Sequence, residues 1–188
     1  MSKINVVAVS GNIGTPSRTR SLVGEVVRAI EERAAIDLTT IEVGELAADL
    51  GALTNPKSIP PRVAAALSAI ASADLLVVGS PVYKGSYTGL FKHLIDFLPP
   101  DALIGVPVVL TATGGTDRHA LVIEHQLRPL FGFFTAQTVP TGVFALDTDF
   151  DNYRLIRPEI TVRVKRAAEE AVLLASLGRL NAPAEAAA

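Results

Sequence analysis

Short apolar runs alternate along the chain with longer segments in which apolar residues recur at the period of a helix. In the segment 18–34, for example, Leu22 and Val26 fall on one face. Residues 44–60, which are interrupted by glycines and prolines, predict a loop. The predicted strands are residues 4–9, 38–43, 74–79, 106–111 and 138–146. The predicted helices are residues 18–34, 61–72, 88–98, 117–134 and 157–180.

This alternation of strands and helices predicts an α/β fold. Near-continuous apolar strands joined by helices are typical of a parallel sheet covered by helices on both faces. The second predicted strand, residues 38–43, is partly polar, which places it at a sheet edge. Five such units in 188 residues fit a doubly wound, five-stranded parallel sheet of order 2-1-3-4-5. We therefore expect a single domain over residues 1–180, followed by a disordered, alanine-rich tail over residues 181–188.

Composition narrows the chemistry that this domain can perform. The chain has no cysteine, which excludes disulfides, thiolate metal sites and a cysteine nucleophile. Its net charge of -2 comes from interspersed acids and bases, without the basic face of a nucleic-acid-binding protein. No apolar run approaches the roughly 18 residues that a membrane span needs, and the first strand begins without a preceding signal peptide. We expect a cytoplasmic protein that binds neither nucleic acid nor membranes.

The titratable residues give little support for catalysis by side chains. His93, His119 and His125 do not have the spacing of metal ligands, and we expect no metal site. No nucleophile is paired with a base in the predicted elements. If the protein is an enzyme, a bound cofactor carries the reaction and the polypeptide positions it.

In a doubly wound sheet, ligands bind beyond the carboxyl ends of the strands, where the strand order reverses. The first loop at this edge, residues 10–19, leads from a buried strand into a helix whose N-terminus suits a phosphate. Ser17 is a good N-cap, and Arg18 and Arg20 oppose the helix macrodipole unless an anion is bound. The loop lacks the glycine pattern of dinucleotide sites and the Gly-Lys-Ser/Thr of triphosphate sites, which favours a mononucleotide. The alternative is a capped turn with two solvated arginines.

The second loop at this edge, residues 79–89, concentrates aromatic residues in a chain with only 5% of them. Pro81 stiffens the turn, and Val82 and Tyr83 are suited to wall a flat ring. Lys84 is then placed to lie near the electron-rich edge of that ring. The alternative is an ordinary connection from a strand to a helix.

The third loop, residues 111–117, contains the glycine pair Gly114-Gly115. Paired glycines let the backbone approach a ligand closely and supply unhindered N–H donors. The alternative is a simple tight turn. Three unusual loops at one sheet edge together support a ligand site there.

Five segments, taken together, carry a family resemblance. They are Ser-Gly-Asn-Ile-Gly-Thr-Pro-Ser-Arg-Thr (10–19), Ser-Pro-Val-Tyr-Lys-Gly-Ser-Tyr-Thr-Gly-Leu-Phe-Lys (80–92), Asp-Phe-Leu-Pro (96–99), Thr-Gly-Gly-Thr (113–116) and Leu-Arg-Pro-Leu (127–130). With these segments the chain resembles the NAD(P)H-dependent FMN reductases of the flavodoxin-like superfamily, most closely the alkanesulfonate and methanesulfonate branch. The resemblance implies a flavodoxin-like fold, the cofactors FMN and NADH or NADPH, and the release of reduced FMN to a partner monooxygenase.

The resemblance also implies which residues hold the flavin. The FMN phosphate would be held by Ser10, Ser17, Arg18 and Thr19. The isoalloxazine would be contacted, mostly through backbone groups, by Pro81, Val82, Tyr83, Lys84, Thr113, Gly114, Gly115 and Thr116. Nicotinamide would then stack on the open face of the flavin and transfer hydride to it.

The fourth predicted helix contains Pro129 four residues after His125. A proline there cannot bond to the carbonyl of residue 125, which predicts a kink or a π-bulge. In the resembling family this helix carries a π-turn with a Tyr or His at a subunit interface near the flavin, and His125 matches that position. The resemblance implies that His125 helps the flavin to come and go. The alternative is a kinked helix with a solvated histidine.

Helices 88–98 and 117–134 carry more apolar residues than one covered face needs. Examples are Leu90, Phe91, Leu94, Phe97, Phe131, Phe133 and Phe134. We therefore expect a homodimer or homotetramer built on these helices.

Two other functions remain open from the sequence. One is a reductase that keeps its FMN tightly bound and acts on quinones, azo compounds or metal oxyanions. The other is a non-enzymatic, flavodoxin-type electron carrier, although Arg18, Arg20, Lys84 and Arg118 suit an anionic nucleotide better than the acidic surface of such carriers. The choice between NADH and NADPH also stays open.

Overall fold

A computed structural model describes residues 3–181 of the chain. Most of the predicted tail, residues 182–188, lies outside the described residues, and Asn181 ends the last helix. The strands of the main sheet are β1 (Ile4–Ser10), β2 (Ile36–Glu42), β3 (Leu75–Pro81), β4 (Pro107–Gly114), β5 (Gln137–Thr138) and β6 (Val143–Leu146). The α-helices are α1 (Arg18–Glu31), α2 (Ala47–Ala52), α3 (Pro61–Ala71), α4 (Gly89–Ile95), α5 (Arg128–Phe133) and α6 (Pro158–Asn181). None of the described helices has the length and apolar character needed to cross a membrane.

The sheet is parallel throughout and has the order β2-β1-β3-β4-β5, which confirms the predicted order 2-1-3-4-5. The predicted fifth strand, residues 138–146, was wrong as a continuous element, because β5 and β6 pair separately with β4. Pro140 lies in the gap and has no N–H for the ladder. The Arg128 guanidinium bridges the gap by donating to the carbonyl oxygens of Val139 (2.9 Å) and Pro140 (3.3 Å).

Apolar side chains cover both faces of the sheet, as the apolar strands predict. On one face α1 and α6 pack on the sheet, with Leu22, Val26 and Ala171 fully buried. On the other face α3, α4 and α5 pack, and the rings of Phe91 and Phe131 lie 6.5 Å apart between them. The two faces hold the core, and the carboxyl ends of β1, β3 and β4 are left open at one edge.

Much of the apolar surface on which an oligomer interface was expected is buried inside the monomer. Phe91, Leu94, Phe131 and Phe134 are buried in the core rather than available to a second copy. Phe133, by contrast, is 68% exposed.

Residues 44–60 are not the continuous loop that their glycines and prolines predict. A 3₁₀ turn (Val43–Leu46) leads directly into α2, and Leu50 is fully buried. The C-terminal end of α2 is held by His93, whose Nε2 lies 3.0 Å from the carbonyl oxygens of both Leu50 and Leu53. Tertiary contacts therefore override the local signals in this segment, and His93 has a structural role.

A short antiparallel hairpin, which the sequence pattern did not predict, follows β6. It consists of β7 (Phe150–Asp151) and β8 (Arg154–Leu155), and β8 lies against α1. Its turn residues Asn152 (φ 46°) and Tyr153 (φ 63°) are both left-handed, which is the geometry of a two-residue hairpin turn. Because asparagine tolerates this conformation and tyrosine does not favour it, only half of the turn signal is visible in the sequence.

Candidate functional site

A cavity of about 450 Å³ opens at the edge where β1, β3 and β4 end. Its volume lies within the range of about 300–1,000 Å³ that small-molecule sites occupy. The lining residues are Asn12, Gly14, Thr15, Pro16, Ser17, Arg18, Thr19, Pro81, Tyr83, Thr113, Asp147 and Tyr153. The three loops singled out in the sequence therefore meet in one cavity, together with a fourth segment that was not predicted.

The N-terminus of α1 faces this cavity. Ser17 has extended backbone and its side chain accepts a hydrogen bond from the Arg20 N–H (3.3 Å), as expected for an N-cap. The hydroxyl oxygens of Thr19 and Thr113 lie 2.6 Å apart, so the first and third loops are joined directly. Free N–H groups, hydroxyls and a guanidinium at a helix N-terminus form a donor set for an anion.

The arginine pair of the first turn is divided between two surroundings. Arg18 lines the cavity, whereas Arg20 lies outside it and pairs with Glu42 at 2.7 Å. The Glu42 carboxylate already offsets the charge of Arg20 near the helix N-terminus. At Arg20 the conflict with the helix macrodipole is therefore offset by a carboxylate rather than by a bound anion.

Ser10, a predicted phosphate ligand, does not line the cavity. It is 1% exposed, and its hydroxyl donates to Oδ1 of Asn12. Asn12 in turn donates from Nδ2 to the Gly14 carbonyl (3.0 Å) and does line the cavity. Ser10 thus positions Asn12, which the sequence reasoning missed although it lies in the same loop.

The turn that follows β2 packs against the first loop and hydrogen-bonds to it. The Gly44 N–H donates to the Asn12 carbonyl at 3.0 Å. A Cβ on Gly44 would lie 2.2 Å from the Ile13 carbonyl oxygen, so only glycine allows this approach. The position of the loop therefore depends on a residue that the sequence reasoning assigned to an uninvolved segment.

The second loop is a tight hairpin turn. The Tyr83 N–H donates to the Ser86 carbonyl (2.9 Å), and Lys84 (φ 54°) and Gly85 (φ 85°) are both left-handed. Pro81 and Tyr83 line the cavity, whereas Lys84 is exposed at the tip of the turn. Val82 lies beside the cavity and joins the second loop to the third, because its N–H donates to the Thr113 carbonyl (2.8 Å).

The third loop contributes Thr113 to the lining and continues along the rim. A Cβ on Gly114 would lie 3.1 Å from the Phe144 ring, and one on Gly115 would lie 3.6 Å from Oδ2 of Asp147. Thr116 caps the following 3₁₀ turn (Asp117–His119), with its hydroxyl accepting from the Arg118 N–H. Gly114, Gly115 and Thr116 are thus brought to the site without lining this cavity.

The fourth wall is formed by Asp147 and Tyr153, which the sequence reasoning missed. The Arg18 guanidinium carbon lies 5.4 Å from the centre of the Tyr153 ring, and its Nη1 lies 3.7 Å from Oδ1 of Asp147. Asp149 holds this segment in place by accepting from the Leu146 N–H and from Arg157. The hydrogen bond that Arg157 donates to the Asp149 carboxylate raises the pKa of Arg157.

A π-helix over Ile123–Leu127 confirms the bulge predicted from Pro129. The His125 side chain is exposed there and does not line the cavity. The π-helix nevertheless contacts the second loop, because the Ser86 hydroxyl donates to Oε1 of Gln126 at 3.2 Å. At its other end the hydrogen bond from Arg128 lowers the pKa of Glu124.

The sequence family model described as NADPH-dependent FMN reductase matches residues 4–151. The chain belongs to this family of FMN reductases. The match spans all four walls of the cavity except Tyr153.

Individual relatives agree with this assignment. The reductase is 50% identical over 173 residues to "FMN reductase (NADPH)" of Pseudomonas aeruginosa, covering 92% of this chain and 93% of the relative. It is 46% identical over 171 residues to "NADH-dependent FMN reductase SfnF" of Pseudomonas fluorescens, covering 91% of each protein. Among solved structures, an oxidoreductase from Corynebacterium diphtheriae has a TM-score of 0.82 at 39% identity, covering 93% of this chain and 96% of that one. The apo form of an NADH:FMN oxidoreductase, EmoB, has a TM-score of 0.79 at 29% identity, covering 91% and 89%.

These findings confirm the flavodoxin-like fold, the NAD(P)H:FMN oxidoreductase activity and the cofactors FMN and NAD(P)H. The residues of the reductase fit the flavin. The helix N-terminus, the hydroxyls of Ser17 and Thr19 and the Arg18 guanidinium are donors suited to one phosphate, and Tyr83 offers an aromatic wall.

Proposed function

We propose that this FMN reductase treats flavin as a diffusible substrate and supplies reduced FMN to a separate flavin-dependent monooxygenase. The observation that carries the proposal is the open cavity in which the α1 N-terminus meets Pro81, Tyr83 and Thr113. A mononucleotide fits that cavity by its donors and by its size. The resemblance to the alkanesulfonate and methanesulfonate branch supports the choice of a monooxygenase as the recipient.

In this proposal the phosphate of FMN is bound at the start of α1. The hydroxyls of Ser17 and Thr19 and the Arg18 guanidinium donate to it, together with free N–H groups of the first helical turn. Ser10 acts through Asn12 by fixing the conformation of the loop. The Thr19–Thr113 hydroxyl pair keeps residues 10–19, the phosphate loop of this proposal, at a constant distance from the third loop.

In this proposal the flavin ring lies against the second and third loops, which the Val82–Thr113 hydrogen bond joins side by side. Pro81, Val82 and Tyr83 contact the ring from the second loop in this proposal, and backbone groups of residues 113–116 contact it from the third. Lys84 extends from the tip of the turn, where its charge favours electron density at the ring edge. When bound, FMN supplies the hydride-accepting chemistry for NADH or NADPH, and the polypeptide orients it and limits access of water.

The proposal is tested by asking whether reduced flavin leaves the enzyme. The reductase is placed on one side of a dialysis membrane, and bacterial luciferase, which emits light with free reduced FMN, is placed on the other. NADH or NADPH, FMN and a long-chain aldehyde are added under limited oxygen. Light from the luciferase compartment is the expected result. Oxidation of nicotinamide without light would show that the flavin stays bound, which favours the reductase with tightly held FMN. No oxidation of either nicotinamide would refute the reductase function and favour an electron carrier.

We also propose that the reductase assembles into a homodimer or homotetramer in the cytoplasm, through the surface that carries Leu121, His125 and Phe133. Leu121 is 61% exposed and Phe133 68% exposed, and both lie on the segment that contains the π-helix. In an assembly of this kind His125 would lie close to the flavin of a neighbouring copy and assist its exchange. Sedimentation of wild type and Phe133→Ser at micromolar concentration tests the interface, and a monomeric wild type would refute it.

A further inference from the structure

Asp147 places a carboxylate where an anion is expected to bind. It follows β6 and lines the same cavity as Ser17, Arg18 and Thr19. Its Oδ1 lies 3.7 Å from Nη1 of Arg18, and its Oδ2 lies 3.6 Å from the position that a Cβ on Gly115 would take. The carboxylate thus stands between the phosphate loop and the third loop.

The charges in the cavity are balanced by this carboxylate. Among the lining residues in the described chain, Arg18 and Asp147 are the two with formal charges, and they cancel. A phosphate monoester brings about -1.5 to -2 charges of its own at pH 7. It must therefore compete with Asp147 for Arg18 or share that guanidinium with it.

We propose that Asp147 is an affinity-setting residue that weakens the binding of the flavin phosphate, so that FMN exchanges readily. This inference rests on the proposed function, in which FMN has to leave after reduction. A phosphate held by Arg18 lies within about 10 Å of Asp147, which is about one Debye length in 0.1 M salt, so its repulsion is felt. Without Asp147 the same donors would act on the phosphate unopposed, and the flavin would be held more tightly and exchange more slowly.

The Asp147→Asn variant removes the charge and keeps the size of the side chain. We expect its dissociation constant for FMN, measured by quenching of flavin fluorescence, to fall about tenfold in low salt. Riboflavin, which lacks the phosphate, should bind to wild type and variant equally. The gain for FMN should shrink as the salt concentration rises, because salt screens the repulsion.

The matched control is Asp151→Asn, which removes an equal charge from the neighbouring hairpin at a residue outside the cavity lining. It should leave the affinities for both flavins unchanged. The inference is overturned if Asp147→Asn leaves the affinity for FMN unchanged or weakens it. It is also overturned if the affinities for FMN and riboflavin change alike. A weaker affinity for FMN, or an equal change for both flavins, would mean that Asp147 contacts the ribityl chain or supports the fold. If wild type itself binds FMN no better than riboflavin, the proposed phosphate site fails, and that result is read before any variant is compared.

Discussion

Replacing Gly44 by alanine tests whether the phosphate loop is positioned from outside the loop itself. The new Cβ would lie 2.2 Å from the Ile13 carbonyl oxygen and 2.9 Å from that of Asn12, and both are backbone atoms that cannot rotate away. Ordinary contact begins near 3.4 Å, so the loop must move by about 1 Å or the turn must deform. Overpacking of this kind costs about 1–3 kcal/mol of unfolding free energy.

The displacement should be felt by the flavin as well as by the fold. A misplacement of about 1 Å in a positioning group lowers activity by as much as 10²-fold, and we expect at least a tenfold loss of FMN affinity. The Gly44 N–H bond to Asn12 would also lengthen, which loosens the residue that lines the cavity. Riboflavin should lose less, because the loop is proposed to hold the phosphate.

The assay combines urea unfolding with fluorescence titration of FMN and riboflavin. Gly24→Ala is the matched control, because nothing lies within 4 Å of its new Cβ and Gly24 sits inside α1. That change should raise stability by about 0.5–1 kcal/mol, since alanine favours a helix, without altering FMN affinity. A Gly44→Ala protein with wild-type stability and wild-type FMN affinity would refute the argument.

Two further predictions concern charged residues. Arg18→Ala should weaken FMN binding by about tenfold or more, because it removes the cation that lines the cavity. Arg20→Ala should leave FMN affinity within about twofold, because Arg20 pairs with Glu42 outside the cavity. Equal losses for the two variants in fluorescence titrations would contradict the assignment of Arg18 to the phosphate. Burial raises the pKa of Glu170, but hydrogen bonds from Thr141 and Arg166 outweigh it and hold the pKa below the ordinary value of 4.5. Ionised Glu170 therefore stabilises the fold at neutral pH, and this contribution is lost as pH falls through the lowered pKa. Glu170→Gln should lower the free energy of unfolding by about 1 kcal/mol at pH 7, measured by urea unfolding. The difference in unfolding free energy between wild type and variant should shrink below pH 4.5, and a difference that stays constant would contradict this reasoning.

The sheet was predictable because its signals are local. Each strand at the centre of the sheet is an apolar run, and the segment after it contains apolar residues at helical spacing. Given this alternation, general rules for parallel sheets predict the order 2-1-3-4-5. The π-helix at Ile123–Leu127 was predictable for the same reason, since Pro129 removes one backbone donor at a known spacing.

Elements that depend on distant contacts were not predictable from local patterns. The C-terminal end of α2 is held by hydrogen bonds to His93, which is about forty positions away in sequence. No pattern within residues 44–60 predicts this contact. The split of the last predicted strand depends on Arg128, whose guanidinium replaces ladder bonds around Pro140. In both cases the contact is made by a polar side chain, and its partner is known only once the chain is folded.

The site divides along the same line. Ser17, Arg18, Thr19, Pro81, Tyr83 and Thr113 were predicted and line the cavity. They lie at the carboxyl ends of β3 and β4, just beyond them, or at the start of α1, where topology alone places them. Asp147 and Tyr153 were missed because they come from a segment beyond β6 whose path depends on a left-handed turn and on the buried carboxylate of Asp149.

The missed residues differ in kind from the predicted ones. The predicted set supplies donors and a flat wall, which any protein that binds FMN needs, including one that never releases it. Asp147 and Tyr153 both act on Arg18, the only cation among the cavity-lining residues of the described chain. At the proposed phosphate site they would therefore affect how strongly the phosphate is held rather than whether it is recognised. If Asp147 weakens the phosphate site as proposed, a substitution in the loop after β6 would change how readily the flavin exchanges while leaving the donors that recognise it in place.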